Sequence, residues 1–498
     1  MISLPGLSEP DLHQLAADIA IASRPGDCIA LSGELGAGKT SFSRAFIRFL
    51  AGADIDVPSP TFTLVQQYAV AAYMTIHHFD FYRIADPDEV IELGLDEALA
   101  TGLALIEWPE KVPDAIPADA TRIIITPATG DSERRDVGID THCEAIRQSL
   151  AVRHFLNAHG APSAARAHMT GDASTRRYET IDKQGERQIL MIAPRQPDGP
   201  PVRDGKPYSQ LAHLAEDIVP FIAIGSTLEA RGFRAPHIRG FDLGEGFMLL
   251  EDLGPGKIVD DGQNPIATRY EAAVKCLVAL HEQPWSPDLA AGGLHHTLPP
   301  FDENVFVMEA SLLPEWYVPA ETGRQLADDM IAEFNGILRA LWGQLDTEKY
   351  TILLRDFHSP NIIFDASRRG VEAIGLIDFQ DALWGPGAYD VMSLVHDARV
   401  TIPDSLGADL VTAYCAARKQ TNSKFDETRF RREAAICTAQ RLCKILGIFH
   451  RLNKRDGKPA YLAYLPRVRG YLQTALDHDA LHPLADWWAR AGLGGPSS

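Results

Sequence analysis

The chain has 498 residues, of which 45% are hydrophobic and 23% are charged, and its formal net charge at pH 7 is −20. This length exceeds one ordinary domain, and the apolar content predicts globular domains with cores of their own. The acidic balance excludes broad, non-specific binding to nucleic acid, which needs a dense basic surface. Six cysteines without a C-x-x-C pair exclude a zinc ribbon and a C-x-x-C redox motif.

The N-terminal segment has no targeting signal that we recognise. It reads MISLPGLSEPDLHQ and has neither a basic segment nor the apolar run of a signal peptide. No run of about 18 apolar residues occurs anywhere, so no membrane span is predicted. We therefore expect a cytoplasmic protein that does not bind a membrane.

Short apolar segments alternate with helical patterns in the first part of the chain. One helix is predicted over KTSFSRAFIRFLAG, and four strands are predicted over DCIALSG, TIHHFDFYRI, LALIEWP and RIIITPA. This order favours an α/β domain with a mostly parallel sheet and helices on its faces. A helical stretch then leads into the small-residue segment APSAARAH. We place the boundary there and predict domains at 1–148 and 149–498.

The pattern changes beyond this boundary. Residues 170–255 are typical of an antiparallel sheet interrupted by one helix, and the chain is mainly helical from about residue 265. A small β-rich lobe at about 165–255, followed by a larger lobe at about 256–498, predicts an α+β bilobal fold of the protein-kinase type.

A glycine-rich segment follows the first predicted strand and precedes the helix. It matches G-x-x-x-x-G-K-[ST], a P-loop, in which main-chain N–H groups hold phosphates at a helix N-terminus. Its lysine would reach the β- and γ-phosphates of ATP, and the hydroxyl that follows would bind Mg²⁺. The predicted nucleotide-binding residues are Gly33, Glu34, Leu35, Gly36, Ala37, Gly38, Lys39, Thr40 and Ser41, with Thr40 also a metal ligand.

Two carboxylates stand where predicted strands end, as a P-loop enzyme requires for its metal and its attacking water. These are Asp80 in HHFDFYR and Glu107 in ALIEWP. His77 and His78 have no clustered ligands beside them and are interpreted as strand residues that face opposite sides.

Four blocks in order, GELGAGKTSF, VPSPTFTLV, HHFDFYRIADPDEVIELGL and IEWPEKV, resemble the TsaE family of bacterial ATPases over about residues 8–140. The resemblance implies a role in threonylcarbamoyladenosine modification of tRNA, with TsaD and TsaB as partners and tRNA involved only indirectly. It implies that Asp80 is the metal-linked Walker B-type acid, that Glu107 is catalytic and that Trp108 lies near the nucleotide. A regulatory nucleotide switch remains the alternative.

A second set of motifs has the spacing of a kinase active site. Asp356 and Asn361 form D-x-x-x-x-N in TILLRDFHSPNIIF, and Asp378 follows in GLIDFQDA. In such loops the first aspartate accepts the proton of the substrate hydroxyl, whereas the asparagine and the later aspartate bind Mg²⁺. Asp390 is interpreted as a structural brace for the catalytic loop.

The chain from about residue 165 resembles the aminoglycoside-phosphotransferase kinases, and within them the AmgK-like anomeric kinases of N-acetylmuramate and N-acetylglucosamine. The motifs are GDASTRRY, LMIAP, GFMLLEDLG, RDFHSPNII and IDFQDALWGPGAYD. The resemblance implies ATP and Mg²⁺ as cofactors and an amino sugar as acceptor in cell-wall recycling. It also implies that Glu251 and Leu253 lie at the adenine-binding hinge.

The third strand of the predicted kinase domain lacks the lysine that usually binds the α- and β-phosphates in the family it resembles. QILMIAP contains Met191 in that neighbourhood, and Arg176 and Arg177 are candidate replacements because guanidinium binds phosphate well. The missing lysine keeps open the alternative of a pseudokinase or binding module. A kinase with another acceptor, such as choline, homoserine or an aminoglycoside, is the third alternative.

Overall fold

The computed structural model describes residues 1–71, 74–169, 176–195, 199, 201–203 and 205–494. Residues 171–175 of GDASTRRY and parts of the loop 194–207 lie outside the described residues. The chain divides into two compact units, Met1–Ile192 and Ala193–Ser498. In the described ranges, no helix is long and apolar enough to cross a membrane.

The first unit contains ten strands and five α-helices among its described residues. The strands are β1 (Ile2–Leu7), β2 (Cys28–Ser32), β3 (Val65–Ala71), β4 (Met74–Asp80), β5 (Leu103–Glu107), β6 (Thr121–Ala128), β7 (Asp131–Asp140), β8 (Ala165–His168), β9 (Arg177–Lys183) and β10 (Glu186–Ile192). The helices are α1 (Glu9–Ala20), α2 (Lys39–Ala51), α3 (Pro87–Glu92), α4 (Leu95–Thr101) and α5 (Glu144–Ala158).

Seven of these strands form one sheet in the order β1-β7-β6-β2-β5-β4-β3. The four central strands β6, β2, β5 and β4 are parallel, whereas the pairs at both edges are antiparallel. The predicted parallel sheet is thus confirmed at its centre. Parallel strands end at one edge of a sheet, so β2, β4 and β5 deliver the P-loop, Asp80 and Glu107 to the same edge.

Alternate residues of the central strands supply two apolar cores. Ile29 and Leu31 of β2 pack into the core under α1, α2 and α5, and Cys28 and Ala30 pack into the core on the opposite face. Because side chains alternate along a strand, a nearly continuous apolar run such as CIAL is what a sheet covered on both faces requires.

The last strands of the first unit are attached to α1 and α5 by buried ion pairs. Arg166 of β8 donates to Asp18 of α1 at 3.0 Å and to Glu179 of β9 at 2.8 Å. Arg153 of α5 donates to the same Asp18 at 2.7 Å. The predicted boundary between 148 and 149 falls inside α5, and the structure divides the chain only after Ile192.

The second unit is mainly helical. Its helices are α6 (Tyr208–Leu211), α7 (Val219–Ala230), α8 (Ala267–Glu282), α9 (Glu303–Ala310), α10 (Val318–Thr322), α11 (Asp328–Trp342), α12 (Ala388–Val395), α13 (Asp404–Thr421), α14 (Glu427–Asp456), α15 (Leu465–Ala475) and α16 (His482–Trp488). Its strands are β11 (Pro201–Arg203), β12 (Lys206–Pro207), β13 (Ile238–Asp242), β14 (Phe247–Glu251), β15 (Asp288–Ala291), β16 (Leu294–Thr297), β17 (Thr351–Leu353), β18 (Ile362–Phe364), β19 (Ile374–Leu376) and β20 (Leu383–Gly385).

Helix α14 passes through the centre of the helical core. The buried residues of α9, α11, α14, α15 and α16 form one apolar cluster. Gly323 adopts a left-handed conformation (φ 70°) and ends α10, and α11 then starts at Asp328.

Candidate nucleotide sites

The glycine loop between β2 and α2 depends on conformations that favour glycine. Gly36 and Gly38 have φ values of 78° and 111°. A Cβ atom on Gly33 would lie 2.2 Å from the carbonyl oxygen of Ile125. Larger residues at these positions would therefore distort the loop. The backbone N–H groups at the N-terminus of α2, which would bind phosphate, would then be displaced.

The Lys39 side chain folds back over this loop. Its Nζ donates to the carbonyl oxygens of Gly33 at 2.7 Å and Glu34 at 3.0 Å. It also lies 3.5 Å from the centre of the Trp108 ring, a cation–π contact. Burial lowers the pKa of Lys39, and the negative charges of Glu107 and Asp80 oppose that shift. Lys39 and Trp108 are thus neighbours, as a shared nucleotide site requires.

Glu107 is a buried carboxylate whose two oxygens both accept hydrogen bonds. Thr40 donates to Oε2 at 2.8 Å, and Ser43 donates to Oε1 at 3.0 Å. His78 Nε2 lies 2.9 Å from the same Oε1, and both side chains are almost fully buried. His78, which the sequence pattern indicates only as a strand residue, therefore belongs to this site. The strand alternation that places His78 on the same face as Asp80 is the signal that could have indicated this.

Asp80 sits opposite Glu107 in the register of β4 and β5. Its Oδ2 accepts from the Thr61 hydroxyl at 2.5 Å, and its Oδ1 accepts from the backbone N–H of Tyr82 at 2.9 Å. The structure therefore joins Asp80 to the SPTFT loop, whereas Thr40 of the P-loop bonds to Glu107. Asp80 also lies beside Glu107 at the P-loop edge of the sheet, and its role as the metal-linked acid stays a prediction.

The remaining P-loop residues have different surroundings. Leu35 is exposed, and Ala37 is buried with its carbonyl accepting from Arg135 Nε at 2.8 Å. Ser41 donates to Glu9 of α1 at 2.9 Å and lies 2.8 Å from His13 Nε2. The described contacts of Ser41 are thus with α1 and do not include Thr40 or Glu107.

Two short antiparallel ladders assemble the candidate active site of the second unit. Strand β17 pairs with β20, and β18 pairs with β19. The β17–β20 ladder joins the two ends of the segment 351–385, and the β18–β19 ladder joins strands inside that segment. The loop from β17 to β18 and the loop from β19 to β20 are therefore brought side by side, and these loops carry the D-x-x-x-x-N motif and Asp378.

Asn361 connects the other two motif residues. Its Nδ2 donates to the Asp356 carbonyl at 3.0 Å and to Asp378 Oδ2 at 3.3 Å. Asp378 also accepts from Gln380 Nε2 at 2.8 Å and has a positive φ of 59°, which is uncommon for a non-glycine residue. All three residues from the sequence motif therefore lie together.

Asp390 holds the backbone of the catalytic loop through hydrogen bonds. Its carboxylate accepts from the backbone N–H groups of Leu354 at 2.7 Å and Arg355 at 2.8 Å. Burial raises the pKa of Asp390, and the nearby His281 ring opposes that shift. These bonds hold Arg355 at a φ of 70° and agree with the predicted structural role of Asp390.

His358 fixes the backbone of Asp356 from the other side. Arg399 Nη1 lies 2.7 Å from His358 Nε2, and because a guanidinium only donates, Nε2 must accept. The proton is therefore on Nδ1, which donates to the Asp356 carbonyl at 2.9 Å. His358 thus connects Arg399 to the backbone of the catalytic loop.

Arg355, which comes directly before Asp356 in the catalytic loop, belongs to a buried ion network. It pairs with Glu309 of α9, which also accepts from Lys444 at 2.8 Å and Gln440 at 3.1 Å. These cations lower the pKa of Glu309 to about 2 although burial acts to raise it. Burial likewise acts to raise the pKa of Asp356, but the positive charges of Lys444 and Arg355 hold it below its ordinary value. A network spread over three distant segments leaves no local pattern in the sequence.

The other predicted nucleotide-binding residues lie outside the two loops that carry Asp356, Asn361 and Asp378. Glu251 accepts from the His237 backbone N–H at 3.2 Å, and the Leu253 carbonyl accepts from Arg234 at 3.1 Å. Arg176 and Arg177 lie in the first unit, and burial lowers the pKa of Arg177.

Met191 is buried and pairs with Tyr178 across the β9–β10 ladder. The place of the usual strand lysine is thus held by an apolar side chain that packs into the core.

The side-chain oxygen atoms at both sites suit magnesium as ligands. Thr40 with Glu107 in the first unit, and Asn361 with Asp378 in the second, supply the oxygen ligands that Mg²⁺ prefers. In the part of the chain that the structure describes, no three His, Cys, Asp or Glu side chains gather into a metal-binding group. Phosphate oxygens and water would therefore complete either shell, as is usual for Mg²⁺.

Comparisons with known proteins match the two parts of the chain separately. The model for threonylcarbamoyl adenosine biosynthesis protein TsaE matches residues 7–137, and the model for the phosphotransferase enzyme family matches residues 166–431. An N-acetylmuramate/N-acetylglucosamine kinase of Caulobacter vibrioides is 32% identical over 69% of this chain and 96% of that protein. A tRNA threonylcarbamoyladenosine biosynthesis protein TsaE of Rickettsia conorii is 46% identical over 30% of this chain and 83% of that protein.

Among solved structures, the microcompartment-associated aminopropanol kinase matches with a TM-score of 0.45 and 13% identity. The match covers 69% of this chain and 98% of that one.

Proposed function

Because the chain belongs to the TsaE family in its first part and to the phosphotransferase enzyme family in its second, we propose that it carries two ATP-dependent activities. The first supports threonylcarbamoyladenosine modification of tRNA together with TsaD and TsaB homologues. The second transfers the γ-phosphate of ATP to the anomeric hydroxyl of N-acetylmuramate or N-acetylglucosamine. We assign the first activity to residues 1–148 and the second to 149–498. ATP and tRNA, which these reactions use, favour the cytoplasm.

The observation that carries the kinase proposal is the bridge that Asn361 makes between Asp356 and Asp378. Asp356, Asn361 and Asp378 are all present and lie together, which favours an active kinase over a pseudokinase. This holds even though Met191 stands near the place of the usual lysine. The identity with N-acetylmuramate/N-acetylglucosamine kinases supports an amino sugar over choline, homoserine or an aminoglycoside.

The proposed chemistry follows from the roles of these side chains. Asn361 and Asp378 would hold magnesium, which would supply charge neutralisation at the triphosphate of ATP. Asp356 accepts the proton of the sugar hydroxyl while the oxygen forms its bond to the γ-phosphorus and the bond from γ-phosphorus to the ADP oxygen breaks. Asp390 and His358 keep the Asp356 backbone in place during this step.

Phosphate transfer to free sugars tests the kinase proposal. The full chain is incubated with Mg-ATP and either N-acetylmuramate or N-acetylglucosamine, and the product is identified by ³¹P NMR. We expect a sugar 1-phosphate from wild type and a rate about 10²- to 10⁴-fold lower from Asp356→Asn. Phosphate on another sugar position, or on choline or homoserine instead, would contradict the proposed acceptor.

The P-loop proposal assigns a different role to each of two carboxylates. The bonds of Glu107 to Thr40 and Ser43 support Glu107 as the metal-linked acid beside the P-loop hydroxyl. The bond of Asp80 to Thr61 supports Asp80 as the residue that senses the SPTFT loop. Lys39 would leave the carbonyls of its own loop and bind the β- and γ-phosphates, with Trp108 packed against it.

Reconstitution with TsaD and TsaB homologues tests this part. Threonylcarbamoyladenosine on tRNA is measured by mass spectrometry of nucleosides over many turnovers. We expect wild type to support repeated turnover and Lys39→Ala to fail. If Lys39→Ala supports the reaction as well as wild type does, nucleotide binding at the P-loop has no role in it. ATP binding without hydrolysis would instead favour the regulatory switch.

A further inference from the structure

A cavity of about 200 Å³ lies in the second unit between α8, α13, the start of α14 and the segment before β17. It is smaller than the roughly 300–1,000 Å³ of pockets for drug-sized ligands, so it suits a small ion. None of Asp356, Asn361 and Asp378 lines it, and the cavity therefore lies outside the candidate active site. Its lysine, arginine and carboxylate lining residues are Asp346, Lys349, Arg418, Lys424, Arg429 and Glu433.

Both carboxylates of this lining already face Arg429. Asp346 Oδ2 accepts from Arg429 Nη1 at 2.8 Å, and Glu433 Oε1 lies 3.7 Å from Arg429 Nε. Glu433 is also buried, and burial raises its pKa, which disfavours its charged form. The negative groups of the cavity thus serve one arginine, and the positive charges of the other three basic residues remain to be balanced.

Arg418 is the most enclosed of these three basic residues, because Lys349 and Lys424 are exposed whereas Arg418 is partly buried. Its Nη1 donates to the neutral hydroxyl of Tyr414 at 3.1 Å, and its guanidinium lies 5.5 Å from the centre of the Phe425 ring. Among the described residues, no carboxylate lies within ion-pair distance of these three basic side chains. A partly buried charge without a counter-ion is unfavourable, which indicates that an anion from solution neutralises it.

A series of contacts joins Arg418 to the catalytic loop. His281 Nε2 lies 4.0 Å from the Asp390 carboxylate, which favours the proton on Nε2. Nδ1 of His281 then accepts from the Tyr414 hydroxyl at 2.9 Å, and the same hydroxyl oxygen accepts from Arg418, because a guanidinium only donates. Asp390 in turn accepts two backbone N–H groups of the catalytic loop. The cavity and the catalytic loop are therefore connected through side chains of α13, α8 and α12.

We propose that this cavity binds inorganic phosphate through Arg418, Lys349 and Lys424. The contacts of Tyr414 and His281 link its occupation to the catalytic loop. The fork of the guanidinium matches two oxygens of a phosphate, and each ammonium group adds a positive charge. The small volume favours inorganic phosphate over a phosphorylated sugar. The site goes beyond the proposed function and does not rest on it, since binding is measured without turnover.

Calorimetric titration of inorganic phosphate into the full chain tests the site. A saturating non-hydrolysable ATP analogue keeps phosphate out of both nucleotide sites. Arg418→Met keeps the apolar part of the side chain but removes its charge, so we expect roughly 10- to 100-fold weaker binding. Lys349→Ala with Lys424→Ala changes only exposed residues and should weaken binding roughly 3- to 10-fold. The matched control, Lys454→Ala with Lys458→Ala, removes the same charge from exposed lysines outside the cavity and should bind like wild type.

Hydrogen exchange of catalytic-loop amides tests the link. The backbone N–H groups of Leu354 and Arg355 bond to Asp390, and a ligand that binds only the closed arrangement lowers the population of its opened state. At a phosphate concentration of about ten times Kd, exchange of these two amides should slow by up to about tenfold in wild type. In Arg418→Met the same phosphate concentration should leave their exchange unchanged.

Four outcomes would overturn this inference. The first is absence of phosphate binding by wild type, and the second is equal affinity in wild type, Arg418→Met and the Lys349→Ala, Lys424→Ala variant. Equal weakening in the control variant is the third, because it would show only a general effect of charge. Unchanged exchange of the Leu354 and Arg355 amides in phosphate-bound wild type is the fourth, and it would overturn the link. Tighter binding of N-acetylglucosamine 1-phosphate than of phosphate would contradict the assigned ligand.

Discussion

Lys39 makes contacts within its own loop that a phosphate can replace. Its ammonium group donates to two main-chain carbonyls and lies over the Trp108 ring. A nucleotide would offer charged oxygens in place of neutral carbonyls, and hydrogen bonds between charged partners are stronger. The affinity of the P-loop for nucleotide should therefore depend strongly on this one side chain.

Replacement of Lys39 by alanine should weaken nucleotide binding at the first site. A lost hydrogen bond to a charged group costs about 1.5–3 kcal/mol, which is roughly a 10- to 100-fold loss of affinity. Titration with a fluorescent ATP analogue, in an Asp378→Asn background that removes a predicted magnesium ligand and so weakens nucleotide binding at the kinase site, measures it. Lys111→Ala is the control, because Lys111 is exposed and lies over Tyr82. Equal affinities for the two variants would contradict the assignment.

His396 should make the stability of the protein sensitive to mild acid. Burial, with repulsion from Arg441, lowers its pKa from 6.5 to about 4. Between these values the unfolded chain binds a proton that the folded chain does not, so stability is lost as the pH falls through that window. The difference in unfolding free energy between wild type and His396→Gln should therefore shrink from pH 6.5 to 4.

Denaturant unfolding at several pH values measures this difference. His295→Gln serves as the control, since His295 is exposed and should show no such trend. A constant difference between wild type and His396→Gln across the window would contradict the buried neutral state of His396.

The sequence predicts individual site residues better than it predicts their hydrogen-bond partners. Lys39, Thr40, Asp356 and Asn361 follow from short motifs, because each motif is a local segment with a defined spacing. The bond of Thr40 to Glu107 was not predictable, because it depends on which parallel strand lies next to β2. The whole sheet determines which strands lie next to each other, so the sequence near either residue does not show it.

At the scale of elements, β8 is attached to α1 more firmly than its small-residue sequence indicates. Arg166 is buried together with Asp18 and Glu179, and His168 Nε2 lies 2.8 Å from the Ile21 carbonyl at the end of α1. The sequence APSAARAH was interpreted as the region of a boundary because it contains small residues. The buried arginine within it only gains meaning once Asp18, far away in the sequence, is placed beside it.

Substitution of Arg166 by methionine should destabilise the first unit. Removal of one partner from a buried ion pair costs about 3–5 kcal/mol, because Asp18 and Glu179 would stay buried with less neutralisation. Thermal and urea unfolding of the full chain measure the change. Arg147→Met is the matched control, since Arg147 pairs with Glu144 at the exposed surface and such pairs contribute about 0–1 kcal/mol. Similar stability losses for both arginines would contradict the buried network.

At the scale of the whole molecule, the chain joins two phosphate-binding designs that share no residue. One uses main-chain amides and a lysine at a helix N-terminus in the first unit, and the other uses carboxylates and an amide on two nested ladders in the second. Both designs were predictable, because P-loops and kinase catalytic loops are local motifs. The cavity lined by α6, β16 and Gln380 was not, because these three parts are widely separated along the chain.

The most direct test of this account compares sugar phosphorylation by full-length wild type, Lys39→Ala and Asp356→Asn. The rate of N-acetylglucosamine phosphate formation is measured at saturating Mg-ATP, with folding of each variant verified by circular dichroism. We expect Asp356→Asn to lose about 10²- to 10⁴-fold in rate, as expected when a general base is removed, and Lys39→Ala to keep the wild-type rate. Loss of sugar phosphorylation in a folded Lys39→Ala variant, or an unchanged rate in Asp356→Asn, would contradict two separate active sites on one chain.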